Sequence, residues 1–292
     1  MSLADQFPEI TKQNEPLAPH THLKIGGPAE FLIRPRTVDE LRAVLAACQK
    51  QKVPIRMLGG GFNLLVRDDP IPGAVVRLTA PAFTMIEWDG KRITAGGGGQ
   101  LYDLIAFSVR QGLAGLETLV GLRGTVGGSV RCNVGDRSGE IGQAVQRVTV
   151  LTDANTIQAR TRDELTFSEH QSDLDEPVIL SVEFELDRDN PDGVLRQMRK
   201  AWIVRKAAEP FSFQHAARLF RNPPGQSAAS LIDRAGMAKA KAGGAELSER
   251  NANYVVAHPG TTAADILQLA DHVRTRVKER TGVNLERELH VW

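Results

Sequence analysis

The chain has 292 residues, 41% of them hydrophobic and 24% charged, with a formal net charge of +1. This length suits one large or two to three small domains, and so balanced a charge gives no global field to attract nucleic acid or an anionic membrane. Two cysteines, Cys48 and Cys132, lack metal-ligand spacing and give no disulfide framework. With no basic-then-apolar leader and no apolar run near ~18 residues, a soluble, cytoplasmic protein without metal, nucleic-acid or membrane partner is expected.

Phe31-Leu32-Ile33 reads as the first strand. Thr37-Val38-Asp39-Glu40 opens a helix, with Thr37 as its cap and Glu40 completing a capping box. Val38, Leu41, Val44, Leu45 and Cys48 mark its apolar face. A strand, Ile55–Leu58, follows and runs into the triplet Gly59-Gly60-Gly61, after which Leu64-Leu65-Val66 is strand-like again. Glycine enters positive-φ space and exposes bare N–H groups, so such a turn is a ready phosphate cradle. A strand after the turn excludes the strand–turn–helix of Rossmann and P-loop sites, and a plain hairpin turn is the alternative.

The strand Arg92–Ala95 leads into Gly96-Gly97-Gly98-Gly99, and Leu101–Gly112 reads as a helix with Gly112 just past its end. Gly121-Leu122-Arg123-Gly124-Thr125-Val126-Gly127-Gly128-Ser129 and Asn133-Val134-Gly135 follow; thirteen of the 27 glycines fall within residues 96–142. Leu101, Leu104, Ile105, Leu116, Leu119 and Val126 interrupt them with core-type residues, which argues against a linker. Backbone approaching an extended polyanionic ligand is the expectation. Val148–Leu151 and Val178–Leu186 read as strands, and Asp187–Asp192, containing Pro191, as a boundary. Helices are expected at Gly193–Ala208, at Ala228–Ala235 ending on Gly236, and from Thr262-Ala263-Ala264-Asp265 to Thr281 with Ile266, Leu269, Val273 and Val277 inward. Tyr254-Val255-Val256 and Leu289–Val291 complete an α+β pattern.

In order along nearly the whole chain these segments resemble the UDP-N-acetylenolpyruvoylglucosamine reductase (MurB) family. Thr21–Glu30 resembles its opening N-T-x-x-I-G-G-x-A-E, with His20 where Asn is usual, and Leu58–Leu65 resembles L-G-x-G-S-N-L-L. Gly115-Leu116-Glu117, Gly124–Gly128 and Asn133–Gly135 resemble G-L-E, P-G-T-V-G-G and N-A-G. Phe220-Arg221-Asn222-Pro223, Ala228–Leu231, Gly243–Ser248 with Asn253–Val256, and Leu285–Glu288 match the C-terminal motifs. The resemblance implies a two-subdomain flavin fold of the PCMH/VAO type plus a C-terminal α+β domain. Residues 1–190 would bind FAD, in subdomains of roughly 20–80 and 81–190, and 191–292 the substrate. It also implies non-covalent FAD, NADPH as co-substrate, a UDP-sugar partner and reduction of UDP-N-acetylenolpyruvoylglucosamine to UDP-N-acetylmuramate, by a chain taken as a monomer.

By the same resemblance, Gly59, Gly60, Gly61, Phe62, Asn63, Leu64, Thr125, Gly127, Gly128 and Asn133 hold the cofactor, with main-chain amides of both glycine turns on its pyrophosphate. Arg221, Asn222, Ser248 and Arg250 contact the substrate, and Arg218, His170 and Glu288 occupy the catalytic positions. Departures fall there: Arg218 stands for the proton-donating serine, and His170 for the arginine that polarises the substrate carboxylate. Phe62 replaces a serine, Arg123 a proline and Arg250 a lysine, while Asp136 adds a negative charge beside the flavin phosphates. Ser212, Ser227 and Ser230 are candidate replacement donors. Three readings stay open: a slowed reductase, a degenerate paralogue that binds FAD or a UDP-sugar without turnover, and a flavin oxidoreductase with another substrate.

Overall fold

Alternating side chains along Val178–Glu185 organise the first of two units in a computed structural model that describes residues 1–136, 138–210 and 215–292. This unit comprises Met1–Gln13, Glu30–Gly60 and Pro72–Arg205. Its five-stranded antiparallel sheet runs in the order Ile157–Thr161, Val145–Leu151, Val178–Glu185, Arg92–Gly96, Ile86–Trp88. Thr149 opposes Ser181 and Val150 opposes Ile179, so Leu180 is an extra residue in the ladder. A bulge exchanges the faces of a strand. Accordingly Ile179, Val182 and Phe184 join the core beneath the helices Leu101–Arg110 and Val126–Arg131, whereas Val178 and Leu180 join Leu41, Val44 and Cys48 of the helix Val38–Gln51.

A second sheet has the order Thr11–Pro16, Pro28–Ile33, Ile71–Val76, Ile55–Met57, its last pair parallel. The strand expected at Phe31 begins at Pro28, and Thr11–Pro16, a polar run without apolar alternation, was not legible as a strand. Thr37 caps its helix by accepting the Glu40 amide at 3.1 Å. The return half of the capping box does not form. Glu40 instead accepts from the Arg36 amide at 2.7 Å and pairs with the Arg36 guanidinium at 2.8 Å. The helix expected from Gly193 starts at Pro191, because proline suits a first turn that needs no N–H.

The second unit comprises Asn14–Ala29, Gly61–Ile71 and Lys206–Trp292. Its antiparallel sheet runs Ala216–Arg218, Tyr254–Ala257, Ala245–Leu247, Lys241–Ala242. The helices Ala228–Arg234 and Ala263–Thr281 supply Leu231, Ile232, Ile266, Leu269, Val273 and Val277 to its core. Thr262 and Asp265 form a complete capping box, and Gly282 ends the long helix in the left-handed conformation. Leu64–Leu65 pairs in parallel with His290–Val291. Among the described residues no helix is long and apolar enough to cross a membrane.

Candidate functional site

The turn after Leu58 leaves its amides without a partner among the described residues. Leu58 still donates to the Val76 carbonyl at 2.9 Å, but the amides of Gly59 and Gly60 in the first unit donate to no group among the described residues. The same holds for Gly61, Phe62 and Asn63, which belong to the second unit. A Cβ on Gly59 would lie 2.7 Å from the Thr125 Oγ1, so the two glycine motifs meet there and only bare backbone fits. Gly61 is at φ +65, and its carbonyl accepts the His22 amide at 3.0 Å. The Phe62 ring leans on the His22 ring with centroids 4.6 Å apart, and Leu64 is buried in its short strand.

The second glycine loop presents less than expected. Buried Thr125 caps the short helix Val126–Arg131, accepting the Gly128 amide at 3.4 Å. Gly127 does not offer its amide to a ligand: it donates to the Gly97 carbonyl at 2.8 Å, so its lack of a side chain serves packing. The Gly96–Gly99 run corrects the ligand-approach expectation outright. Its four amides donate to Met85, Leu180, Phe83 and Gly96 carbonyls at 2.8, 2.8, 2.9 and 2.9 Å. A Cβ on Gly96, Gly97 or Gly98 would overlap the carbonyl of Phe83, Ile179 or Leu78. These glycines bring chain against chain.

Asn133, wholly buried at φ +39, is a brace rather than a side chain presented to a ligand. Its Nδ2 donates to Glu140 at 2.7 Å and to the Ser168 carbonyl at 2.8 Å, while its Oδ1 accepts the Gly142 amide at 3.0 Å. The negative charge of Asp136 is matched within the chain. Burial pushes its pKa up, but the Ser138 amide and Arg205 outweigh burial and hold it below the usual value. Arg205 is only 6% exposed and ties Asp136 at 2.5 Å to the Val120 carbonyl at 2.6 Å. His170 is half-buried at φ +56 in the turn of the hairpin Phe167–Ser168/Gln171–Ser172, not fully exposed. Cys132 is half-buried.

In the second unit the register brings Arg218 directly opposite Tyr254, and the Arg218 Nε lies 3.0 Å from the Glu288 carboxylate. Asn253, buried beside Tyr254, clamps Phe220 by accepting its amide at 3.0 Å and donating to its carbonyl at 2.7 Å, which fixes the end of the Arg218 strand. Burial, reinforced by Glu209 and opposed by Arg218, pushes the Tyr254 phenol well above its ordinary value; Glu288 also raises it. The sequence reading missed Tyr254 and Asn253, since only the strand register reveals them. Arg221 donates its amide to the Glu286 carbonyl. Asn222 accepts the Ala228 amide at 3.0 Å, Ser248 accepts the Arg250 amide at 3.3 Å, and the Arg250 guanidinium reaches the Lys206 and Glu209 carbonyls at 3.2 and 3.4 Å. Ser227 caps the Ala228–Arg234 helix, Ser230 is exposed, and Ser212 lies outside the described residues.

The unpaired Gly59 and Gly60 amides, beside a cradle that a Cβ on Gly59 would fill, fit the pyrophosphate of a dinucleotide such as FAD. Comparison with known proteins agrees. Residues 29–159 match a family described as an FAD binding domain, and residues 209–292 match the C-terminal domain of UDP-N-acetylenolpyruvoylglucosamine reductase. The reductase of that name from Heliobacterium modesticaldum is 38% identical over 96% of this chain and 90% of its own, and that from Anoxybacillus flavithermus 36% identical over 96% and 93%. The crystal structure of MurB from Thermus caldophilus superposes with a TM-score of 0.82 at 34% identity, covering 97% of this chain and 98% of that one. The chain belongs to the UDP-N-acetylenolpyruvoylglucosamine reductase (MurB) family.

Proposed function

We propose that this protein reduces UDP-N-acetylenolpyruvoylglucosamine to UDP-N-acetylmuramate, with NADPH as reductant and non-covalent FAD as cofactor, in peptidoglycan precursor synthesis. The observation that carries this reading is the unpaired amide row Gly59–Asn63, in a chain that aligns with reductases of that name over almost its full length. Bound FAD supplies the hydride relay between NADPH and the enolpyruvyl double bond. Every other task falls to this chain.

The amides of Gly59, Gly60, Gly61, Phe62 and Asn63 would hold the FAD pyrophosphate, with Leu64 anchoring the turn. Thr125, Gly127, Gly128 and Asn133 give the second loop its shape. Arg221, Asn222, Ser248 and Arg250 serve the UDP-sugar. Arg218 keeps its proton at any working pH, so it stabilises the negative charge that develops on the substrate rather than quenching it. Glu288, 3.0 Å away, orients that guanidinium. His170 donates to the substrate carboxylate in place of an arginine.

The assignment of residues 1–190 to FAD and 191–292 to substrate, the monomeric state and the cytoplasmic location belong to the same proposal. Light scattering on the purified protein tests the monomer. The decisive experiment is NADPH oxidation in the presence and absence of the enolpyruvyl nucleotide. Oxidation that requires the nucleotide is expected; a flavin-loaded protein with no such dependence would remove the reductase reading and favour a binding-only paralogue.

A further inference from the structure

Reducing the enolpyruvyl double bond requires a proton as well as a hydride. Hydride adds to the terminal carbon, the π pair moves to the carbon bearing the carboxylate, and that carbon must then take H⁺ for the atoms to balance. Arg218 does not release a proton. Glu288 is engaged as the carboxylate partner of Arg218. Ser227 is held as a helix cap and Ser248 takes up the Arg250 amide, and neither is in register with Arg218.

Tyr254 is placed for it. In the antiparallel pair it stands directly across from Arg218, so the two side chains rise from the same face with Cβ atoms about 5 Å apart. Its strand is held from both sides: Ser248 donates its amide to the Tyr254 carbonyl at 2.8 Å, and neighbouring Asn253 clamps Phe220. Glu209, Arg218 and Glu288 are the charged groups that act on the phenol, and Glu209 accepts a hydrogen bond from it.

Resting on the reductase reading above, we propose that Tyr254 is the proton donor of the reduction. The Tyr254 O–H bond breaks as the new C–H bond forms at the carboxylate-bearing carbon. The phenolate left beside the Arg218 guanidinium is reprotonated from solvent by way of Glu209. The upward-shifted phenol stays protonated until it is called on, and an α-carboxylate carbanion is basic enough to take its proton.

The test is Tyr254→Phe, which keeps the ring and its packing. Flavin reduction by NADPH is expected at the wild-type rate, while reoxidation by the enolpyruvyl nucleotide slows by about 10²- to 10⁴-fold, the usual worth of a general acid. The solvent deuterium effect on reoxidation should shrink with it. A readout that needs no turnover comes from the near-ultraviolet tyrosinate titration. The chain has only two tyrosines, so the variant should lose the phase that burial displaces upward. Reoxidation within about threefold of wild type would overturn the role of Tyr254 and leave the reductase reading standing. A wild-type protein whose reduced flavin is not reoxidised by the nucleotide would overturn both.

Discussion

Two glycine-rich stretches of this chain look alike in sequence and do opposite things. Gly96–Gly99 has all four amides bound to neighbouring carbonyls, and three of its Cα positions touch main chain so closely that no side chain fits. Gly59–Gly61, with Phe62 and Asn63, leaves its amides without a partner among the described residues. A glycine cluster therefore reports that something approaches the backbone, and only the hydrogen-bond partners say whether it is the chain itself or a ligand. The first stretch holds the fold together; the second is available for chemistry.

The contrast makes opposite predictions for the same substitution. The largest effect is expected from Gly98→Ala, whose Cβ would run into the Leu78 carbonyl, a main-chain group with no rotamer to yield. A loss of more than about 4 kcal/mol is expected, enough to leave little folded protein. A urea midpoint close to wild type would show that the close packing is not structural.

Much of this was legible from the residues. Thr262 with Asp265, Gly282 after the last long helix, and the apolar spacing of Ile266, Leu269, Val273 and Val277 are local signals, and they read correctly because capping and amphipathicity are decided within a few residues. The family motifs likewise pointed to the family that the relatives show. What stayed hidden is long-range. Asp136 meets Arg205 across 69 positions, and Tyr254 meets Arg218 only through a strand pairing. The destinations of the Gly96–Gly99 amides depend on Met85, Phe83 and Leu180, which no spacing rule connects. Thr11–Pro16 is a strand because its neighbour in the sheet makes it one, not through its own propensity.

Next in size is Asp136→Asn, which tests whether the loop beyond the second glycine motif is structural rather than cofactor-facing. Removing the carboxylate takes the Asp136 hydrogen bond from Arg205, which is 6% exposed, and about 2 kcal/mol of stability should go, with FAD affinity changed by less than about threefold. The pH dependence has a definite sign. Asp136 is held below its ordinary value when folded, so its contribution is complete above about pH 4 and fades as pH falls below that. Acid unfolding curves of the variant should lack this part of the slope. Gly59→Ala comes third. Its Cβ meets the Thr125 hydroxyl, which caps the Val126–Arg131 helix, so about 1 kcal/mol of stability should go with the disturbed cap, far less than for Gly98→Ala. FAD affinity should nonetheless fall about tenfold, or 1.4 kcal/mol, as the cradle fills. Loss of fold instead of cofactor would erase the distinction between the two stretches.

The smallest effect sharpens the comparison most, because it asks whether the open turn can be improved. Phe62 puts a ring where a hydroxyl would face the same ligand, and that ring leans on His22 at 4.6 Å. In Phe62→Ser the tilted ring contact is lost, which should lower stability by about 1 kcal/mol. A hydroxyl donor is gained next to the unpaired amides, and one such bond contributes about 0.5–1.5 kcal/mol, or about three- to tenfold tighter FAD. The two changes are separable, since a melting curve without flavin reads the first and flavin fluorescence quenching reads the second. Tighter binding by a less stable protein would mean that the turn serves the cofactor and that Phe62 serves the fold. Weaker binding would mean that the ring itself holds the amides in their ligand-ready geometry, and the division between a packing glycine run and a binding one would then have to include Phe62 on the binding side.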